Sequence, residues 1–139
     1  AEDSVSLLSV LRGEKREKPL HEIVIHHSGS GHFAIRKSQW KLLLCRGSGG
    51  WSPPREAEAA KKKLPMLQLY DLASDPKETE NLQAKHPGKV AELAGDLAKA
   101  FRNGRTTPGP RQSNEGWPNT IPEPIVEKFP ELANPKIKS

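Results

Sequence analysis

The sequence contains little cysteine, few aromatic residues and no long apolar run. Its one cysteine, Cys45, excludes an intramolecular disulfide framework and a cysteine-rich zinc module. Apolar residues make up 34% and aromatic residues 5% of the 139 positions. Because average soluble domains are about 45–50% apolar, we expect a good part of the chain to be loop. The longest apolar run, residues 42–45, is far shorter than the roughly 20 residues of a membrane-spanning helix, which excludes an integral membrane protein.

The charge balance does not indicate a nucleic-acid partner. The chain carries 22 basic and 17 acidic side chains, and residues 1–63 hold 12 of the basic and 7 of the acidic ones. A basic region can attract anions or nucleic acid. Here acidic side chains interrupt the basic ones, so a solvated surface is the better interpretation: Glu14, Glu17, Glu56 and Glu58.

Alternating apolar residues predict four β-strands. Residues 21–27, 32–37 and 40–45 alternate and are separated by short turns, which is typical of an antiparallel meander. Residues 67–72 supply the fourth strand. Between them, glycines and Pro53-Pro54 predict an irregular excursion over residues 46–63.

One amphipathic helix is predicted over residues 87–103. It begins at Pro87, ends before Gly104, and carries a single apolar stripe: Val90, Leu93, Ala94, Leu97 and Phe101. The predicted fold class is therefore α+β, a small four-stranded antiparallel sheet with this helix packed on one face.

The ends of the chain differ from the middle. Residues 1–20 read as a linker containing a short helix over residues 4–12, capped by Ser4. Residues 21–104 form the predicted α+β unit. Residues 105–139 contain 7 prolines in 35 positions, which predicts an extended tail. A core this thin for the chain length indicates that a missing surface completes it.

Four histidines within twelve residues are the main chemical feature: His21, His26, His27 and His32. A zinc site is disfavoured because Glu22 is the only nearby acidic residue and no cysteine is close. Two interpretations remain open. The histidines are exposed strand ends, or His26 or His27 donates to an oxyanion in a neighbouring pocket. Cys45 reads as a buried structural thiol.

Three segments resemble one protein family. Residues 33–42, FAIRKSQWKL, resemble the f-a-i-R-x-x-x-W-K-L hairpin in the C-terminal subdomain of sulfatases. Residues 69–82, LYDLASDPKETENL, are similar to the L-Y-D-L-x-x-D-P-x-E-x-x-N-L signature of that family. Residues 104–109, GRTTPG, resemble the segment that closes many arylsulfatase-like chains. Order and spacing agree over residues 3–114.

The resemblance implies a parent enzyme of the alkaline-phosphatase-like superfamily that hydrolyses sulfate esters. Such enzymes use calcium and a formylglycine made within a C/S-x-P/A-x-R motif. Cys45 does not fit that motif, because Gly47 and Gly49 stand at the Pro/Ala and Arg positions. Paired acidic calcium ligands are not recognisable either. Calcium, formylglycine and the catalytic domain are therefore expected in a part of the same polypeptide that precedes Ala1, and no catalytic residue is assigned here.

The resemblance also implies roles for particular residues. The family-signature residues are expected to stabilise the fold: Arg36, Trp40, Lys41, Tyr70, Asp71, Asp75, Pro76, Glu78 and Asn81. Asp75, Pro76 and Glu78 predict the capped start of a short helical turn. The expected rim of a substrate pocket comprises His26, His27 and Ser28, with Arg105 second.

Two functions follow as alternatives. The first is the C-terminal portion of a sulfatase, which completes the fold and shapes the substrate pocket of a periplasmic or extracellular parent. The second is a free-standing module that binds anions or polysaccharides without catalysis.

Overall fold

The computed structural model describes residues 4–15, 17–113 and 121–133. It confirms an antiparallel four-stranded sheet whose strands neighbour one another in sequence order. The strands are β1 (Ile23–His27), β2 (Phe33–Lys37), β3 (Trp40–Leu43) and β4 (Gln68–Asp71). The helices are α1 (Leu8–Leu11), α2 (Glu56–Lys61), α3 (Pro87–Asn103) and α4 (Glu123–Lys128), followed by a 3-10 turn, Pro130–Leu132.

The strand register places the largest apolar side chains in one row. Ile25 lies opposite Ile35, Ile35 opposite Leu42, and Leu42 opposite Leu69. Alternate residues of a strand point to the same face, so this row forms the apolar face of the sheet. Ile35, Leu42 and Leu69 are each 0% exposed, which makes the row the centre of the core.

Helix α3 covers this face. Its bounds agree with the sequence prediction, and its buried stripe includes Leu93 and Leu97, both 0% exposed. The helix ends at Gly104, whose φ of 64° is left-handed. A Cβ there would also lie 2.6 Å from the backbone oxygen of Gln112. Glycine is therefore required at this position both for its φ and for the close approach of the following chain.

One part of the predicted C-terminal tail, residues 121–133, is not extended. Residues 121–133 form α4 and the 3-10 turn, and they bury Ile125, Phe129 and Leu132 in the same core as α3. The prediction of an extended tail was wrong here, because these apolar side chains are too few to form a helical stripe but are spaced to pack on α3. Residues 114–120 and 134–139 of the predicted tail lie outside the described residues, as do residues 1–3 of the predicted linker.

The excursion over residues 46–63 also contains regular structure that was not expected. Helix α2 forms within it, and Ala59 on that helix is fully buried. The Glu56 carboxylate accepts hydrogen bonds from the backbone N–H groups of Arg46 (3.1 Å) and Gly47 (2.9 Å). These bonds fix the start of α2 against the end of β3, a long-range contact that composition does not reveal.

Two smaller helical predictions need correction. The N-terminal helix is confirmed only over Leu8–Leu11, and its cap is Leu7 rather than Ser4. No helix follows Asp75 and Pro76. Instead, the Asp75 carboxylate accepts hydrogen bonds from the N–H groups of Thr79 (2.6 Å) and Glu80 (2.8 Å). Asp75 thus stabilises a turn. Within the described ranges, no helix is long and apolar enough to cross a bilayer.

If residues 121–133 belong to the core, Ile125→Ala will destabilise the whole chain. Ile125 is 1% exposed, and truncating a buried isoleucine to alanine typically costs about 2–5 kcal/mol. The free energy of unfolding from urea titration should fall by that amount. Glu127→Ala on the exposed side of α4 is the matched control and should change stability by less than about 0.5 kcal/mol. Equal stabilities of the two variants would show that this segment does not stabilise the core.

Candidate functional site

The tip of the β1–β2 hairpin carries the histidines and serine expected at a pocket rim. The loop is closed by hydrogen bonds from Ser28 N–H to the His32 carbonyl (3.0 Å) and from Gly31 N–H to the Ser28 carbonyl (2.8 Å). Gly31 has a φ of 81°, a value that suits glycine in a tight turn. The tip is therefore a defined turn that presents the ends of both strands.

His27 is exposed but held in place. Its Nδ1 donates to the Ser28 carbonyl oxygen (3.0 Å), and its ring lies against Phe33 with centroids 5.4 Å apart. With Nδ1–H committed to this bond, a neutral ring leaves Nε2 as an acceptor. Donation to an oxyanion from Nε2 would require the imidazolium form, in which both nitrogens carry protons.

His26 points to the opposite face of the sheet, as alternation requires. Partial burial lowers the pKa of His26 below its ordinary value of 6.5, and the positive charge of Lys41 lowers it further, while the Glu78 carboxylate acts in the opposite sense. The ring is therefore held toward its neutral form. Consequently the two neighbouring histidines do not share one face or one electrostatic environment.

The other two rim candidates, Ser28 and Arg105, lie at opposite ends of β1 and make different contacts. The Ser28 hydroxyl accepts a hydrogen bond from His32 N–H (3.3 Å) and so supports the turn. The Arg105 guanidinium donates to Thr107 Oγ1 (2.9 Å) and to the Pro110 carbonyl (3.3 Å). The cavities that Arg105 lines are bordered by His21 and the start of β1, at the opposite end of that strand from the hairpin tip.

The family-signature residues make contacts that stabilise the fold. Asn81 fastens the chain to β4: its Oδ1 accepts from Leu69 N–H (3.0 Å), and its Nδ2 donates to the Leu67 carbonyl (3.0 Å). Lys41 forms a partly buried ion pair with Glu78, with Nζ and Oε1 2.6 Å apart. Glu78 adopts a positive φ of 56° at the place where this ion pair forms.

The remaining signature residues are arranged similarly. Arg36 Nε donates to the Ser38 carbonyl (3.1 Å) across the β2–β3 turn. The Tyr70 hydroxyl donates to Gln68 Oε1 (2.7 Å), and the Asp71 carboxylate accepts from Ala73 N–H (3.0 Å). Trp40 is half-buried beside the core, with its ring 5.3 Å from that of His86. These contacts support structural roles for the signature.

Cys45 does not have the properties of a nucleophile. It is 1% exposed, and its Sγ–H donates to the Gly47 carbonyl (3.4 Å). Burial, followed by the nearby Glu56 charge, raises the pKa of the Cys45 thiol from 9.0 to about 11. In residues 4–15, 17–113 and 121–133, no cluster of three or more His, Cys, Asp or Glu side chains could hold a metal ion. The residues described here therefore do not fit formylglycine or a calcium site.

A cavity beside the hairpin tip was missed by sequence reasoning. It measures about 400 Å³ and is bordered by Ser30 and His32 of the hairpin. Trp51 of the following loop borders it too, as do Arg55 and Glu56 at the start of α2. The signal in the sequence is a tryptophan, Trp51, within a Gly-Ser-Pro loop that carries no recognisable motif. Only the fold brings this loop against the hairpin.

Comparison with known proteins finds a curated relative and a solved structure that each match part of the chain. The chain is 31% identical over 94 residues to an N-acetylgalactosamine-6-O-sulfatase of Bacteroides thetaiotaomicron, which covers 68% of this chain and 18% of that protein. A solved structure from work on the metabolism of multiple glycosaminoglycans by Bacteroides thetaiotaomicron matches 68% of this chain and 23% of its own, at 25% identity and a TM-score of 0.44. No protein-family model matches the chain.

The sheet and helices define the chain as a small α+β unit, and the curated relative shows that it is related to hydrolases. More specifically, the resemblance to sulfatases that residues 33–42 and 69–82 predicted is confirmed, and the chain is homologous to part of a sulfatase. It spans less than a fifth of the length of the curated relative that it matches.

The burial of Cys45 predicts slow modification of the folded protein by a thiol reagent such as DTNB. At pH 8 a thiol with a pKa of about 11 has a thiolate fraction about a hundredfold smaller than one at 9.0. The native chain should therefore react at least about 100-fold more slowly than the same chain unfolded in guanidinium chloride. The absorbance of the released thiolate measures both rates. Native and unfolded rates within tenfold of each other would contradict a buried, structural thiol.

Proposed function

We propose that this chain is the C-terminal subdomain of a sulfatase that hydrolyses sulfate esters of sugars. The observation that carries the proposal is the 31% identity over 94 residues to a protein named for the 6-O-sulfate of N-acetylgalactosamine. The order and spacing of the motifs at residues 33–42, 69–82 and 104–109 support it. The substrate class is extended from that relative to this chain as part of the proposal.

In this proposal the catalytic groups come from elsewhere in the same polypeptide. Cys45 is buried and lacks the residues that a formylglycine motif requires. The curated relative has more than four-fifths of its length outside the matched region, which is ample for a catalytic domain. The parent's calcium and formylglycine would lie in that domain.

The exposed apolar residues of the N-terminal segment support a partner domain. Leu7, Leu8 and Leu11 are 55%, 51% and 81% exposed, and Val10 is 48% exposed. Four large apolar side chains on one short helix are costly in water and are typical of a surface that another unit covers. We propose that the catalytic domain packs there and that the chain thereby completes the fold.

The role proposed for the hairpin tip is to border the substrate pocket of the parent. His27 supports it best among the rim candidates, because its ring is exposed and is fixed by the Nδ1 bond to the Ser28 carbonyl. His26, Ser28 and Arg105 remain rim candidates of the same proposal.

The first test is the coding sequence upstream of Ala1. The proposal expects an in-frame extension of several hundred residues that contains a C/S-x-P/A-x-R motif and acidic calcium ligands. A start codon directly before Ala1 would overturn the proposal, and the alternative of a free-standing module that binds anions or polysaccharides would replace it.

The second test is His27→Ala in the joined enzyme, that is, the full-length polypeptide in which the proposed catalytic domain precedes this chain. We expect a higher KM or a lower kcat for a sulfated sugar with no change in Tm, because the ring is exposed and its loss leaves no buried cavity. One positioned polar contact of this kind is typically worth about 1–3 kcal/mol, or about five- to 150-fold in kcat/KM.

The control is His86→Ala, which removes an exposed histidine at the start of α3. It should leave kcat/KM unchanged. If His27→Ala and His86→Ala have the same kinetics as the unmodified enzyme, the hairpin tip does not border the substrate.

A further inference from the structure

Trp51 has an exposed indole that the fold of this chain does not use. Its side chain is 83% exposed, more than the other large apolar residues of the described chain. A tryptophan in this state leaves a large flat apolar surface in water, whereas tryptophan in proteins is on average highly buried. Exposed aromatic surface beside a cavity is characteristic of a binding site.

The loop that carries Trp51 is held by several hydrogen bonds. The Ser48 hydroxyl donates to the Ser52 carbonyl (2.6 Å), and Ser48 N–H donates to the Pro54 carbonyl (2.9 Å). These two bonds join residues before and after Trp51 in the sequence. On the far side, Glu56 accepts the N–H groups of Arg46 and Gly47. The indole is therefore presented by a closed loop anchored to the sheet.

The hairpin tip forms the opposite wall of the cavity. The indole Nε1 of Trp51 lies 3.9 Å from the position that a Cβ on Gly29 would occupy, so a side chain at Gly29 would contact the indole. The Nδ1 atom of His32 is buried and has no hydrogen-bond partner. A buried polar atom without a partner costs free energy. Rotation of the His32 ring toward the cavity would allow Nδ1 to bond a ligand hydroxyl.

One cation, Arg55, and one carboxylate, Glu56, border the cavity. Arg55 borders it and forms no ion pair with any residue of the described ranges. The Glu56 carboxylate also borders the cavity, but its oxygens already accept three backbone hydrogen bonds. Arg55 therefore remains as the charged group able to pair with a sulfate or carboxylate.

We propose that Trp51, His32 and Arg55 form a subsite for one pyranose ring of a sulfated glycan. A pyranose has a face of C–H groups that packs on an indole and an edge of hydroxyls that bonds polar side chains. In this arrangement the sugar ring lies on Trp51, a hydroxyl bonds His32 Nδ1 once the imidazole has rotated toward the cavity, and an anionic substituent pairs with Arg55. The volume of about 400 Å³ lies within the roughly 300–1,000 Å³ of small-molecule sites.

This subsite deepens the proposed function, on which the sulfated-sugar class rests, but it is tested by binding rather than by hydrolysis. The 139-residue chain is titrated calorimetrically with a hexasaccharide of 6-O-sulfated chondroitin. Saturable binding is expected, with Kd at least tenfold higher for Trp51→Ala and restored to within threefold by Trp51→Tyr. The matched control Leu11→Ala removes another highly exposed apolar side chain and should leave Kd unchanged.

Two further titrations separate the contributions of ring and charge. The unsulfated hexasaccharide should bind more weakly than the sulfated one, and Arg55→Gln should remove that difference. Inorganic sulfate at the same concentration should not compete. Effective competition by sulfate alone would overturn the subsite, because it would indicate a simple anion site.

Other results would also overturn the proposal. They are the absence of saturable glycan binding, and equal Kd values for the unmodified chain and Trp51→Ala. A lower Tm of the joined enzyme for Trp51→Ala, with unchanged glycan binding by this chain, would show instead that the catalytic domain covers Trp51. Sulfatase activity of the joined enzyme is measured separately from glycan binding by this chain. An active enzyme whose chain shows none of the expected binding would refute the subsite alone, and the proposed function would stand.

Discussion

Burial of α3 against one face of the sheet is the interaction on which the rest of the structure depends. Leu93 and Leu97 are excluded from water together with Ile35, Leu42 and Leu69. Fully burying a side chain of this size contributes about 1.5–3 kcal/mol relative to exposure, so this layer supplies most of the cohesion in a chain that is otherwise poor in apolar residues. The C-terminal segment with α4 adds to the same core. The residues proposed to contact a ligand lie in the β1–β2 hairpin and in loops that extend from this layer.

Alternation along β1 decides how the conspicuous histidines can act. Because His26 and His27 are adjacent, they occupy opposite faces of the sheet, and only His27 is fastened through Nδ1 to the hairpin tip. His26 faces Lys41 and Glu78. The pair that looks like one site in the sequence is thus two separate environments. The space at the tip is completed instead by the loop that carries Trp51.

The contacts of the signature residues support a structural role for the family signature. Two hydrogen bonds join Asn81, which follows β4, to Leu69 of that strand and to Leu67 directly before it. The partly buried Lys41–Glu78 pair joins β3 to the same turn. Such contacts hold the edges of a thin sheet in register. They account for a recognisable motif without placing it at a reacting atom, and they leave the proposed sugar contacts to residues outside the signature, Trp51 and Arg55.

The sequence by itself determined the elements with strong local patterns. The stripe ending at Phe101 and the left-handed cap at Gly104 are sufficient to define α3, and alternating residues define the strands, because burial of one face imposes a fixed period. Tertiary structure alone decided the rest. Glu56 anchors its loop through the backbone of Arg46 and Gly47, and Ile125 is buried in the same core as α3. Trp51 meets the hairpin for the same reason: these contacts join residues distant in the chain, and no local pattern encodes them.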